Sequence, residues 1–377
     1  MASTDYVSFV RKNVHADADK YIDMRLNRNK IPKDMVMVSY LLGENQLYIF
    51  VASRDSAIAR IVPVSANEVR KTVNFIRNQI KQKEGVVTNS LDTSNAQSKR
   101  NELLLDTKQQ DVLLQHLEKA YGYLIAPIQD AIKTKKQLAI MPSDKLHFLP
   151  FQLLGKTLAN GRFNFLVENY TIFYTKDFKM LNREANADVN AIKIVAFGYP
   201  DETLPASEEE IQLIKKNFPN TQMYLRKEAT EDKAKNLSSE YNIAHFATHG
   251  NLDYAKPELS YLTMAKNLAK GEDGNLSLHD LWGLNLMNNL NLVILSACNS
   301  AMSSDAEVPI SPATGFFDNG VKAVIASLWA VSDEATSLLM ADFYRNIKTM
   351  TVGDAFRVAL KTRNTIIPII GHPLFCR

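Results

Sequence analysis

Residues 243–250 read IAHFATHG, and residues 292–298 read LVILSAC. Each is a short apolar run that ends in small or polar residues. That is the pattern of a strand buried on both faces and running into a loop. Around this pair, strand and helix signals alternate. Ile192–Gly198 is a further apolar strand. Ser207-x-x-Glu210 reads as a capping box ahead of the stripe Ile211, Ile214 and Phe218. Met223–Leu225 is a short strand, and Thr230–Leu237 a helix. A helix over 312–319 is closed by Gly320, and Ala323–Trp329 is the next strand. Ser332 caps a helix that carries Leu339, Phe343 and Ile347 four residues apart. Thr351 opens another, with Val352, Phe356 and Leu360. This alternation predicts an α/β half with a mostly parallel sheet covered on both faces.

Upstream, the polar break NREANADVN (182–190) separates a first half of different texture. Its residues 1–30 read as polar and helical. MVMVSYLLGENQLYIFVAS (35–53) is a hairpin broken at Gly43-Glu44-Asn45. Residues 66–81 are helical, and Thr88–Asn101 form an exposed polar loop. Thr107–Ala126 is a long helix with Val112, Leu113, Leu117, Tyr121 and Leu124 at helical spacing. LAIMPSDKLHFLPFQLL (138–154) gives a strand, a turn and a short apolar element, and 164–175 a strand-like run. The expected divisions are a helical lead over 1–30, a first half over 31–185 and a second over 190–377.

The chain has 377 residues, a length that suggests two or three domains. Hydrophobic residues make up 46% and charged residues 23%, which excludes a wholly disordered chain. Lys and Arg number 44 against 41 Asp and Glu, a net charge of +3. That balance supplies no concentrated basic surface, so direct nucleic-acid binding is not expected. No apolar run is long enough to span a membrane, and no signal core opens the chain. Two cysteines, Cys298 and Cys376, make no disulfide framework, so a reducing, cytoplasmic compartment is expected.

Functional residues of an open parallel sheet collect where its strands end. If the two quoted strands are neighbours, His249 and Cys298 share one crevice. A thiolate there attacks a carbonyl, and an adjacent imidazolium lowers the thiol pKa and protonates the leaving amine. The amides of Gly250 and Cys298 are candidate oxyanion donors. The competing reading is a buried, inert thiol, the usual state of a lone Cys at a strand end. His245 and His249 could suggest zinc. On a strand, though, that spacing puts the side chains about 13 Å apart, so His245 is read as a core residue and no metal or cofactor is expected. Asp333 stands where a strand turns into a helix. There it serves the helix dipole or forms an acidic pocket wall. GFFDNGVK (315–322) places its Lys wrongly for a phosphate loop, and G-x-S-x-G does not occur.

AHFATHG, LSACNSA and GFFDNGVKAVIASLWAVSDEAT in the second half resemble the CHAT family of caspase-like cysteine peptidases related to separase. So do IPKDMVMVSYLLGENQLYIFV and YLIAPIQDAIKTKKQLAIMPSDKLHFLPFQLL in the first, with LPASEEEIQLI and GNLSLHDLWGLNL. The resemblance runs in one order from about residue 31 to 373. It implies a caspase-like three-layer α/β fold preceded by a degenerate, dyad-free half that serves as scaffold. It matches His249 to the family's catalytic His and Cys298 to its nucleophile. It further matches Ser296 to a wall of the first specificity pocket, and Asp333 to an aspartate that helps recognise a P1 Arg. A cysteine endopeptidase cleaving a protein substrate follows, with a preference for a basic P1. The alternative is a silent caspase-like interaction module.

The chain departs from the family at two places. Helical repeats often precede this region, and here about 30 residues do. An activating or recruiting partner is therefore expected on another chain or on a removed part of this one. Past His372-Pro373 the family continues into a Trp-bearing segment and a final strand. Here only LFCR (374–377) follows, with Cys376 about where the Trp would stand, so the closing strand is expected to be missing or truncated. The loop 300–315 is expected to gate the pocket. Lys99-Arg100 is a candidate self-processing point, but a solvated charge pair in a disordered loop is the favoured reading.

Overall fold

The break at Gly43–Asn45 does turn one strand back on another. β1 (Met35–Leu42) and β2 (Leu47–Ser53) pair antiparallel, from Leu42↔Leu47 at the turn to Val36↔Ser53. Every residue of β2 is buried, which is why this run is apolar from Leu47 to Ala52 rather than alternating. The structure, a computed structural model, describes residues 18–81, 107–175, 178, 192–199, 204, 206–253, 255–282, 290–297, 311–328, 333–362 and 374–376. Thr88–Asn101, with Lys99-Arg100, lies outside them. The chain divides into two units between Arg183 and Glu184.

In the first unit, α1 (Ala18–Leu26) precedes the hairpin, and β3 (Ala57–Val62) adds antiparallel to β2. The sequence reading passed over β3 because its residues are half exposed, as suits an edge strand. α2 (Ala66–Lys81) and α3 (Thr107–Leu124) follow, then β4 (Gln137–Met141), parallel to β1. The expected strand over 164–175 is instead three pieces. β6 (Phe163–Phe165) forms a small hairpin with β5 (Gly155–Thr157). One helical turn, Leu166–Asn169, intervenes before β7 (Thr171–Tyr174), which pairs parallel with β4. Glu168 starts that turn by accepting the Phe165 N–H at 2.9 Å, a local cap that overrides the apolar run. The strand order of this unit is β3-β2-β1-β4-β7.

The second unit holds β8 (Ile194–Gly198), α4 (Ala206–Asn217), β9 (Gln222–Leu225), α5 (Glu231–Lys235) and β10 (Ile243–Ala247). A small sheet of β11 (Gly250–Asn251), β12 (Tyr261–Thr263) and β13 (Asn275–Ser277) leads into α6 (Leu278–Trp282). Then come β14 (Leu292–Ser296), α7 (Pro312–Asp318), β15 (Ala323–Ala326), α8 (Asp333–Asn346), α9 (Val352–Thr362) and β16 (Leu374–Cys376). The order is β16-β15-β14-β10-β8-β9, parallel except at β16. Leu374–Cys376 thus close the far side of β15, with Val324↔Cys376 and Ala326↔Leu374 in register. A short closing strand is therefore present where a missing or truncated one is expected: three apolar residues pair with three of the four of β15.

Period two along β10 shows how both faces are covered. Phe246 stacks on Phe197 with centroids 5.0 Å apart, and meets Phe316 of α7 at 5.6 Å. Its neighbour His245 points to the other face and meets Glu210 of α4 and Tyr344 of α8. The stripes expected on the last two long helices are buried: Leu339, Phe343 and Ile347, then Val352, Phe356 and Leu360.

The capping-box expectation for α4 needs correction. The helix begins at Ala206, one residue before Ser207, and Ser207 Oγ donates to the Leu204 carbonyl at 3.0 Å. Glu210 does not reach back. It is 1% exposed and lies on the buried face with Ser207 and Ile214. The polar groups beneath that face, described below, outweigh the local cap.

Candidate active site

β10 and β14 are adjacent and parallel, with Ala247 opposite Ser296. His249 and Cys298 each stand two residues beyond that pair in the sequence. Cys298 itself, with the loop through residue 310, lies outside the described residues. The C-terminal edge of the sheet is stitched by a row of hydrogen bonds. Tyr199 N–H donates to the Ala247 carbonyl at 3.2 Å, and Thr248 N–H to the Ser296 carbonyl at 3.3 Å. Ser327 Oγ donates to the Ala297 carbonyl at 2.6 Å. These bonds extend the order of the strands past their formal ends, where a positioned side chain is needed.

His249 is half-buried, and its carbonyl accepts the Thr263 N–H at 2.9 Å. That bond makes His249–Thr263 a hydrogen-bonded pair of the β11–β12 ladder. The next pair, Gly250–Leu262, is then of the non-bonded kind, whose N–H points away from the partner strand. The Gly250 amide is therefore not consumed by β12. Ser296 is the last residue of β14, and its hydroxyl donates to Glu210 Oε2 at 3.0 Å. Asp333 opens α8, and its side chain lies outside the described residues. His245, read as a core residue, is fully buried. Glu210 and Tyr344 are the polar neighbours that sequence reasoning missed. The available signal was a glutamate one residue before Ile211 and four before Ile214, on the apolar stripe itself.

Glu231 and Asp280 hold the small sheet that follows His249. Buried Glu231 accepts the N–H groups of Gly274 at 2.6 Å and Asn275 at 3.1 Å, and its other oxygen takes Lys235 Nζ at 2.7 Å. Asp280 and Ser277 form the capping box of α6: Asp280 N–H donates to Ser277 Oγ at 3.1 Å, and Ser277 N–H to Asp280 Oδ2 at 2.9 Å. Burial opposes the Asp280 charge. The Ser277 hydroxyl and amide, with Lys235, outweigh it and hold the carboxyl below its ordinary value. A lowered folded value means stability that is complete above the ordinary carboxylate pKa and lost as pH falls through the folded one. Asp280→Asn is therefore expected to narrow the difference in urea stability between pH 7 and pH 3 by about 1 kcal/mol. An unchanged difference would show that this carboxylate does not hold the cap.

A profile of the CHAT domain matches residues 114–365, about two thirds of the chain. The chain belongs to the CHAT domain family. Among solved structures, this CHAT chain is similar to two of the Saccharomyces cerevisiae separase–securin complex. Both are 12% identical, with TM-scores of 0.66 and 0.65 over 96% and 95% of this chain. It spans 31% of those separase-complex chains, less than a third of their length. The Arg-specific cysteine proteinase gingipain R aligns at 9% identity with a TM-score of 0.43, over 82% of this chain and 74% of that one. No curated protein matches. The fold is thus the caspase-like α/β fold that separase shares. No described helix of the CHAT chain is long and apolar enough to cross a membrane.

Proposed function

We propose that this CHAT protein is a cysteine endopeptidase whose nucleophile is Cys298 and whose acid/base is His249. The observation that carries this reading is the register of β10 and β14: Ala247 faces Ser296, and His249 and Cys298 each follow that pair by two residues in the sequence. The Cys298 thiolate attacks the scissile carbonyl carbon, and its oxygen takes the negative charge, held by the amides of Gly250 and Cys298. The His249 imidazolium gives its proton to the leaving amine as the C–N bond breaks. Water, deprotonated by His249, then attacks the thioester and releases the acid and the thiol.

Asp333 supplies the carboxylate that selects a Lys or Arg at P1, with Ser296 on the pocket wall. The substrate is a protein, and the enzyme works in the cytoplasm, where its thiol stays reduced. It is latent until a protein partner engages it, and the first unit acts as the scaffold on which that engagement builds. The crystallised separase relative is itself held in a complex with securin.

A peptide-library cleavage profile of wild type, Cys298→Ala and Asp333→Ala tests activity and P1 choice together. Wild type is expected to cut after Lys or Arg. Asp333→Ala is expected to lose at least about tenfold of that preference, as removing one charge partner from a pocket does. Cleavage by Asp333→Ala with an unchanged P1 profile removes Asp333 from the pocket. Absence of turnover by wild type, with candidate partners added, favours a silent interaction module.

A further inference from the structure

On the α4 side of β10 and β14 lies a buried polar group that the proposed chemistry does not use. Glu210 on α4 is 1% exposed, and His245 on β10 is 0% exposed. Glu210 Oε1 lies 2.8 Å from His245 Nε2, at charge-pairing distance but without the alignment of a hydrogen bond. The other carboxylate oxygen, Oε2, accepts from Ser296 Oγ at 3.0 Å. On the far side of the ring, the Tyr344 hydroxyl lies 3.1 Å from His245 Nδ1. Burial, and then the Glu210 charge, push the Tyr344 pKa well above its ordinary value, so the phenol keeps its proton.

This arrangement is costly to keep. A carboxylate withdrawn from water loses its hydration, and an apolar residue at 210 would simply continue the stripe of Ile211 and Ile214. What the carboxylate does, and an apolar residue could not, is bridge two strands near their reactive ends. Ser296 ends β14, two residues before Cys298. His245 is on β10, four residues before His249. In the parallel register His245 faces Ile294, so His245 and Ser296 project from the same face of the sheet, toward α4. Each oxygen of one side chain thus serves one strand.

We propose that Glu210 is a positioning residue of the dyad, fixing the end of β14 through Ser296 against β10 through His245. The inference rests on the dyad reading and adds to it a group that touches neither substrate nor thiol. Loss of the bridge lets the strand end that precedes Cys298 shift relative to the one that precedes His249. The thiolate then loses part of its imidazolium partner.

The experiment uses the full chain with Cys376→Ala, so that Cys298 is the single thiol. Its alkylation by iodoacetamide is followed by intact mass across pH 5–10. Ser296→Ala, which removes one hydroxyl, is expected to slow alkylation at neutral pH about tenfold and to raise the midpoint of the profile by about one unit. Ser296→Thr, which keeps the hydroxyl, is expected to restore most of the rate. Glu210→Gln, which keeps an acceptor but not the charge, is expected to fall between. A role confined to packing would lower the melting temperature without moving the midpoint. Wild-type midpoints in Ser296→Ala, with a shifted midpoint in His249→Ala, would overturn the positioning role and leave the dyad standing. An unshifted midpoint in His249→Ala would overturn the dyad and this proposal together. If Glu210→Gln does not fold, Ser296→Ala decides alone.

Discussion

Cys298→Ala is expected to lower kcat/KM on any peptide the wild type cleaves by a factor on the order of 10⁴ or more. His249→Ala is expected to lower it about a thousandfold. The difference follows from their roles. Without Cys298 no thioester forms, and what remains is the assistance of the oxyanion amides to attack by water. Without His249 the nucleophile persists, but a free thiol with a pKa near 8.5 is only a few per cent ionised at pH 7, and the leaving amine must depart without a proton donor. Hydrolysis of Lys- and Arg-terminated fluorogenic peptides measures both effects, and a thiol-reactive probe reports Cys298 separately. Equal probe labelling of wild type and His249→Ala would remove His249 from the mechanism. Substantial cleavage by Cys298→Ala would remove the nucleophile.

Phe246→Ala is expected to cost about 3–5 kcal/mol of stability in the second unit. Phe246 is fully buried on β10, between the Phe197 ring that stacks on it and Phe316 of α7. No small adjustment of the central strand can refill that space, because β8 and β14 hold it on either side. Urea denaturation followed by circular dichroism reads the loss as a lower midpoint. Leu268→Ala, at a site 81% exposed, is the control and is expected to stay within about 0.5 kcal/mol of wild type. Similar costs at the two sites would mean that Phe246 is not the packing centre of this sheet.

The elements of this fold were legible where local chemistry decides them. Gly43–Asn45 marks a turn, and the four-residue spacing of Leu339, Phe343 and Ile347 marks a buried helix face, whatever lies around them. The strand IAHFA ends before a polar Thr-His-Gly, so His249 was recognisable as a strand-end residue. β3 was harder, because an edge strand is half exposed and lacks the apolar contrast on which the reading depends. The run 164–175 failed for a different reason. Its apolar residues suit a strand, but Glu168 captures the Phe165 amide and turns Leu166–Asn169 into a helical turn.

Glu210 shows where local reading stops. Four residues of sequence, Ser207 to Glu210, satisfy a capping box, and nothing within them argues otherwise. Its actual partners, His245 and Ser296, are 35 and 86 residues away in the chain. By itself the sequence determined the strands of the second unit's main sheet up to β15, the long helices that cover them and the residue types at the strand ends, because periodicity and turn chemistry act over a few residues. Only the tertiary structure decided that β10 and β14 are neighbours with Ala247 opposite Ser296, and that a glutamate lies buried between them. Strand order and register are set by long-range packing of both sheet faces, and no short stretch of the chain encodes that.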